Sequence, residues 1–436
     1  MKNNYAVAVL AVLALCLMGC DDTQVGLANK TPTANSSPSP VVQGSPMFKR
    51  PAIASPKLDN RSVAANLQFS LQLFQQISLA QSKMDGQRNI FVSPSSVAIA
   101  LAMVYNGANG ETQQAIAKTL AAQKLSVNDL NQFYRSLQQL LMSDPSVELN
   151  IANSLWARQD IQFQAMFLQT AQDLYGAEIK SLNFADPNTV NVINSWVKQS
   201  TKDKIEKIID RIEPDSLLFL INAVYFKGKW TNPFNMGQTM TKPFTLANGT
   251  KVEHSAMLQA GDFLYYETPT FQAVRLPYGS GRFGMEIFLP KSNSSLQAFQ
   301  KSLTADNWRL WSSSMSMQEG LVQLPRFKMD YEIELKNILQ DMGMAIAFDP
   351  KQADFSKISA VPNYINDVKH KTFVEVNEEG TEAAAVTSIG MRATSAMPDQ
   401  KPPFQMIVDR PFFLAISDRQ TKTILFMGSI QNPEQK

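Results

Sequence analysis

Cysteine is almost missing from this chain of 436 residues. There are two, Cys16 and Cys20, both at the extreme N-terminus. Everything after position 20 therefore has no disulfide to make, no thiol nucleophile and no thiolate ligand for zinc. Histidine is as scarce, with only His254 and His370. Two imidazoles so far apart make a poor metal pair and leave little choice of general base. No G-x-S-x-G, H-E-x-x-H or C-x-x-C pattern occurs, so the common hydrolase, zinc-protease and thiol-redox layouts are excluded. Net charge is also lacking. The 40 basic and 38 acidic side chains leave +2, which gives no electrostatic ground for a nucleic-acid partner. A long apolar run is missing too, since "YAVAVLAVLALCLMG" is short for a comfortable membrane span.

That run is better read as a processing signal. Lys2 supplies its positive start, and it ends in "LMGC", Leu17 to Cys20. The ending resembles the lipobox of bacterial lipoproteins, which implies cleavage after residue 19 and lipidation of Cys20. Two acyl groups plus an amide-linked chain exceed what stable anchoring needs. Residues 20–56 are rich in Pro, Ser, Thr and Asn, as in "NKTPTANSSPSPVVQGSP", and read as a flexible tether. On this reading residues 57–436 are the folded part, and the resemblance implies that they are held at the cell envelope on the extracytoplasmic side of a lipid bilayer.

The pattern changes near Leu58. Val63, Leu67, Leu71, Phe74 and Ile77 fall at helical spacing. "NIFVSPSSVAIALAMVYNGANG" predicts a short strand, a break, and a helix capped by Ser93 or Ser95 with Pro94 in its first turn. Further helices are expected near 111–121, 126–142, 164–175, 187–201 and 331–342. "VELNIANSLWARQ" and "SLLFLINAVYFKGKW" read as strands, strands dominate 240–295, and the C-terminus is strand-rich. Helices first and strands later, without βα alternation, give an α+β fold.

Two features tempt and fail. "GSGRFG", Gly279 to Gly284, fits a dinucleotide-binding pattern, but it lies between two strand-like runs and so reads as a hairpin turn. His254 is expected at an exposed strand or loop position. His370, entering a strand, reads as a structural group rather than a base.

The most informative stretch is "VEVNEEGTEAAAVTSIGMRATSAMPDQKPPF", from Val374 to Phe404. Laid out as a strand, its side chains alternate between two faces. Thr381, Ala383, Ala385, Thr387, Ile389, Met391 and Ala393 share one face, which carries no charge. Glu382 and Arg392 fall on the other. Such a segment can sit in solvent as a loop and can also enter a sheet without burying a charge; by pattern alone it equally fits a plain flexible linker whose alternation is chance in an Ala-rich run.

"NEEGTEAAAVTS" closely resembles the reactive-loop hinge of the serpins, the serine protease inhibitor family. "FVSPSSVAIALAMVYNGANGET", "FLINAVYFKGKWTNPF", "LPRFKMDYEIELKNILQDMGM", "VDRPFFLAI" and "ILFMGSIQNP" resemble other segments of that family, in its order, over about 58–433. The resemblance implies a serpin fold with three β-sheets, about nine helices and an exposed reactive-centre loop. It implies no catalytic activity, metal or cofactor. It implies inhibition of serine, and also cysteine, proteases by a suicide-substrate route: the loop is cleaved, the acyl-enzyme is trapped, and the loop inserts in the central sheet. The implied partner is a protease bound covalently to a monomeric inhibitor. The alternatives are a non-inhibitory member acting as a binding or carrier protein and, last, a surface enzyme using the fold as scaffold.

Residue by residue, the resemblance places Ser93, Ser96, Asn222 and His370 in a polar shutter beneath the strands that must part. It places Trp230 in the breach, where insertion starts, with Arg326 pairing Glu378, bidentate geometry being open to an arginine. The hinge comprises Glu378, Glu379, Gly380, Thr381, Glu382, Ala383, Ala384 and Ala385. Counting seventeen residues from Glu378 puts the reactive bond at Thr394–Ser395, with Arg392, Met391 and Met397 as alternatives.

Overall fold

The computed structural model describes residues 58–84, 87–213, 216–381 and 402–435. All lie in one compact unit, Ala54–Lys436. The lipidation residue Cys20, the 1–19 signal and the 20–56 tether fall outside the described residues, as do Glu382 to Ala385 of the hinge and every candidate reactive-bond residue.

The chain opens with α1 (Asn60–Met84), β1 (Ile90–Val92), α2 (Pro94–Gly107), α3 (Gly110–Thr119) and α4 (Val127–Leu141). The α1 stripe of Leu67, Leu71, Phe74 and Ile77 is buried as its spacing predicts, while Val63 is only partly covered. A capping box formed by Ser126 and Asp129 starts α4. Then come β2 (Val147–Arg158), α5 (Ala165–Tyr175), β3 (Glu178–Leu182), α6 (Asn188–Ser200) and β4 (Leu218–Lys229). The middle of the molecule holds β5 (Met240–Thr245), β6 (Lys251–Glu267), β7 (Phe271–Pro277), β8 (Phe283–Pro290), α7 (Leu296–Lys301), α8 (Ala305–Ser314) and β9 (Ser316–Pro325). The C-terminal part holds β10 (Phe327–Glu334), α9 (Lys336–Leu339), β11 (Ile365–Asn377), β12 (Gly380–Thr381), β13 (Phe404–Ile407), β14 (Phe412–Asp418) and β15 (Thr423–Ile430).

The fold is α+β, with nine α-helices among the described residues. Hydrogen bonding joins the strands into two continuous ladders there, of nine and six strands. Where three sheets are expected, two run together through the long β6, which pairs with β5 and β9 and then with β7. The predicted helix at 331–342 is corrected at its start: β10 continues to Glu334, and helical turns begin only at Lys336, as the short α9 followed by wider and tighter turns to Phe348. There Tyr331 is buried and exposed side chains precede and follow it, a period of two that belongs to a half-buried strand. "GSGRFG" is a hairpin turn between β7 and β8, with Tyr278 N–H donating to the Phe283 carbonyl at 2.9 Å and Gly281 at φ +87°.

The six-stranded sheet runs β10-β11-β12-β4-β2-β3. One face packs on the main core and α2; the other carries a smaller cluster in which Phe219, Ile221 and Trp156 meet Ile193 and Val197 of α6. Strand β4 has eight of its first nine residues apolar, and all nine are buried, as a central strand covered on both faces requires.

Candidate functional site

Two strands of the six-stranded sheet run parallel side by side at its middle. β11 pairs directly with β4 from Ile365↔Leu218 to Thr372↔Val224. Higher up, that direct pairing stops. β12 enters between them and pairs antiparallel with both, Val376↔Thr381 on one side and Thr381↔Gly228 on the other. The two strands thus form a seam, zipped below and already parted above by two residues.

Gly380 makes this entry sterically possible. Its φ is +154°, and a Cβ there would lie 2.1 Å from the Gly228 carbonyl oxygen, closer than any real contact. Only glycine fits such an approach. Thr381 follows and is 1% exposed. Its hydroxyl and that of Tyr278 share a hydrogen bond of 2.6 Å in the core. The Trp230 ring stacks on Tyr278, with centroids 4.4 Å apart and planes 11° off parallel. Trp230 also holds the incoming chain: its indole N–H donates to the Asn377 carbonyl at 2.9 Å and its backbone N–H to the Glu379 carbonyl at 2.8 Å.

Just before the glycine, the Glu378 side chain is fully buried. Arg326, between β9 and β10, donates from Nε to Glu378 Oε2 at 2.7 Å and from Nη2 to the same oxygen. Thr239 donates to Oε1. The pairing is therefore a fork on one oxygen, because the second is taken by the threonine, and not the two-oxygen geometry open to an arginine. Burial works to raise the Glu378 pKa, but these hydrogen bonds and the Arg326 charge outweigh it and hold it below the usual value.

Lower on the seam lies a polar row in a dry core. Asn153 of β2, Asn222 of β4 and His370 of β11 stand opposite one another in register. The Asn222 amide donates to Asn153 Oδ1 at 2.7 Å. His370 Nδ1 lies 2.6 Å from Asn222 Oδ1, and its Nε2 accepts from the Ser93 backbone N–H at 3.0 Å. That pattern fixes the neutral ring with the proton on Nδ1. Burial pushes the His370 pKa down to about 3 against the hydrogen bond to Asn222. The Ser96 hydroxyl sits 2.7 Å from Asn222 Oδ1 and 2.9 Å from the Ser93 carbonyl oxygen. Ser93 and Ser96, at the start of α2, thus hold the two sides of the seam from beneath, one through His370 and the other through Asn222, and the His370–Asn222 bond spans the two strands that would separate if the seam opened.

The family model described as Serpin (serine protease inhibitor) matches residues 64–433. The chain belongs to the serpin family. Human Serpin B11 is 32% identical over 394 residues, covering 85% of this chain and 98% of its own length. The native-state structure of Tengpin, a thermophilic serpin, superposes with a TM-score of 0.80 at 32% identity, covering 87% of this chain and 96% of that one. A complex of thyroxine-binding globulin with thyroxine gives 0.77 at 25% identity, covering 86% and 99%. Serpins are most often protease inhibitors, and the globulin shows that the family also contains binding proteins.

Of the residues singled out in this serpin's sequence, the structure brings Trp230, Arg326, Glu378, Gly380 and Thr381 together at the upper seam. It brings Ser93, Ser96, Asn222 and His370 together lower down. Glu379 lies beside the first group and is 8% exposed. Ser93 differs from expectation in which atom it uses. It holds the N-cap position of α2 but makes no side-chain cap, and its buried hydroxyl has no partner while its N–H serves His370. His254 is not exposed as expected. It is 3% exposed within β6, edge-on to Phe244 with ring centroids 5.7 Å apart, because β5 covers it. Sequence reasoning missed Tyr278, Thr239 and Asn153. None carries a local signal; each is found only through its partner across the sheet.

Proposed function

We propose that this serpin inhibits serine proteases as a suicide substrate, and that the β4–β11 seam receives the reactive loop. The observation that carries the reading is β12, a strand two residues long paired antiparallel on both edges. Continuing it downward turns a parallel junction into two antiparallel ones, which pair slightly better per residue. The gain in ladder hydrogen bonds and buried surface drives the insertion.

The ladder also sets a register. With Thr381 opposite Gly228, one-for-one continuation puts Ala383 opposite Phe226, Thr387 opposite Asn222, and Met391 opposite Leu218, the first residue of β4. The charge-free face then meets the core. On the other face Ser388 comes opposite Ile221 and Gly390 opposite Phe219, small residues where the cluster beneath α6 is bulkiest. Glu382 comes opposite Lys227, a favourable cross-strand pair. Twelve residues, Gly380 to Met391, give a strand of about 40 Å. The reactive bond Thr394–Ser395 lies just past its end, as complete insertion of a cleaved loop requires, and this register supports it over Met391 and Met397.

In the proposed reaction the protease serine attacks the Thr394 carbonyl, the Ser395 amine departs, and the ester holds the enzyme while the loop inserts. Small residues around the bond suit a protease with a small specificity pocket. The test is incubation with a panel of serine proteases, denaturing electrophoresis and mass spectrometry of the product. A covalent complex cut after Thr394 is the expected result; clean cleavage by every enzyme, with no complex, would refute inhibition.

A second reading, a carrier protein, is favoured by the likeness to thyroxine-binding globulin and by a cavity of about 1180 Å³ reached from Ser78, Gln300 and Arg410. The bland hinge weighs against it as the main role. We also propose that Cys20 is lipidated and holds the protein at the extracytoplasmic side of the envelope, a reading that rests on sequence. Cys20→Ser should release it from the membrane fraction.

A further inference from the structure

Below the His370–Asn222 pair, the seam ends in a contact that is not part of the backbone ladder. β11 starts with Ile365 opposite Leu218, but the next pair is Asp367 with Phe219, so Asn366 is an extra residue on its strand. A bulge of this kind leaves its residue out of the ladder and re-aims the side chain. Here the Asn366 side chain reaches the foot of β4. Its Oδ1 accepts the Leu217 backbone N–H at 2.6 Å and the Leu218 N–H at 3.2 Å. Its Nδ2 donates to the Tyr364 hydroxyl at 3.3 Å, which keeps the acceptor oxygen turned toward β4. One side chain thus closes the foot of the seam, where backbone pairs close it higher up.

The contact does not survive insertion. A strand entering between β4 and β11 moves them apart by about 4.8 Å, which takes both bonds far beyond hydrogen-bond reach. The register names the replacement. Trp230 N–H already donates to the Glu379 carbonyl, and in an antiparallel pair every second residue of a strand turns its N–H and C=O to the same edge. Continued down β4 in steps of two, that edge includes Leu218, and its N–H meets the Met391 carbonyl. Leu217 precedes the first residue of β4 and gains no such partner.

We propose that Asn366 is a lock at the foot of the seam, a positioning residue that holds the Leu217 and Leu218 N–H groups while the loop is out and yields the Leu218 N–H to Met391 when the loop is fully in. This rests on the insertion reading above and adds to it the place where insertion ends. The lock stabilises the uninserted form alone, and it is the last contact across the seam to open.

Amide hydrogen exchange resolved to single residues tests it, on the full chain before and after cleavage of the loop beyond Met391, in wild type and in Asn366→Leu. Asn366 is half-buried, and leucine has its size without its acceptor. In the uncut variant Leu217 and Leu218 should exchange about tenfold faster or more, with Leu220, which pairs with Val368, unchanged. After cleavage Leu218 should be slow in both proteins and Leu217 fast in both, an outcome that a merely structural asparagine would not give. Equal protection of the uncut proteins, or a cleaved form in which Leu218 still depends on Asn366, would overturn the lock. Wild type alone also decides: Leu217 must pass from slow to fast on cleavage, and slow exchange in both forms would overturn it should the variant fail to fold. Slowed exchange at Thr387 after cleavage reports insertion separately. Without it the insertion reading fails and the lock with it; with it, a failure at Leu217 and Leu218 strikes the lock alone.

Discussion

The Thr381 hydroxyl meets the Tyr278 hydroxyl at 2.6 Å inside the core, so the first residue beyond the hinge glycine is already a residue of the sheet. On the proposed insertion, Thr381 is where the loop enters, and its inward side chain sets which face of the loop follows it inward. Thr381→Arg would force a charge into a site that is 1% exposed, at a cost of several kcal/mol. The variant should be cleaved by target proteases without forming a covalent complex. Electrophoresis of the reaction reads this directly, and an unchanged yield of complex would show that the register is wrong.

Gly380→Ala should expel β12. The added methyl would sit 2.1 Å from the Gly228 carbonyl at a φ of +154°, a conformation costing an alanine about 1–3 kcal/mol even before the clash. Amide hydrogen exchange should speed up at Thr381 and Lys229 and stay slow at Val224. Equal protection of wild type and variant at these amides would mean that β12 is held by something other than this fit.

The two histidines predict acid sensitivity. Burial holds His370 down at about 3, and it lowers His254 as well. His370 is neutral when folded near pH 6, whereas the unfolded chain takes up protons on both rings below about 6.5. Through His370, stability is therefore full above pH 6.5 and falls as pH drops from there toward 3, by up to about 1.4 kcal/mol per pH unit, and the lowered His254 adds to the fall in the same direction. Urea midpoints between pH 5 and 7 measure the slope, and His370→Gln should flatten it. His254→Phe, which keeps an apolar ring against Phe244, should remove the rest. A slope unchanged in both variants would contradict the assignment.

Thr387 and Gly390 test the lower seam. On insertion Thr387 arrives between Asn222 and His370, whose mutual bond must break as the strands part, and its hydroxyl is the replacement partner. Thr387→Val would leave both buried groups short of a bond, at about 1–3 kcal/mol. Gly390→Leu would meet Phe219 beneath α6. Each variant should raise the number of inhibitor molecules consumed per protease trapped. Wild-type stoichiometry in both would place insertion elsewhere.

Much of this was readable because the relevant signals are local. Period-two alternation showed the loop's two faces, Gly380 marked the pivot, and turn chemistry disarmed "GSGRFG". What the sequence hid depends on tertiary partners. His254 looks exposed from its neighbours, yet β5 covers it. Ser93 resembles a cap, but its N–H is taken by a histidine 277 residues away. Tyr278 follows an unremarkable strand and gains its place only where Gly228 leaves room for its ring, 2.9 Å from an imagined Cβ. The strand at 331–334 looks helical in sequence because helical spacing in "YEIELKNIL" and the pairing of β10 with β11 compete, and eight ladder pairs win.

The most direct test of loop insertion is the crystal structure of the protein after cleavage in the loop. The account predicts a new strand from Gly380 to about Met391, antiparallel to both β4 and β11, with Thr387 between Asn222 and His370 and Gly390 beside Phe219. A cleaved structure in which Lys369 still pairs with Ile221 and His370 with Asn222 would contradict it.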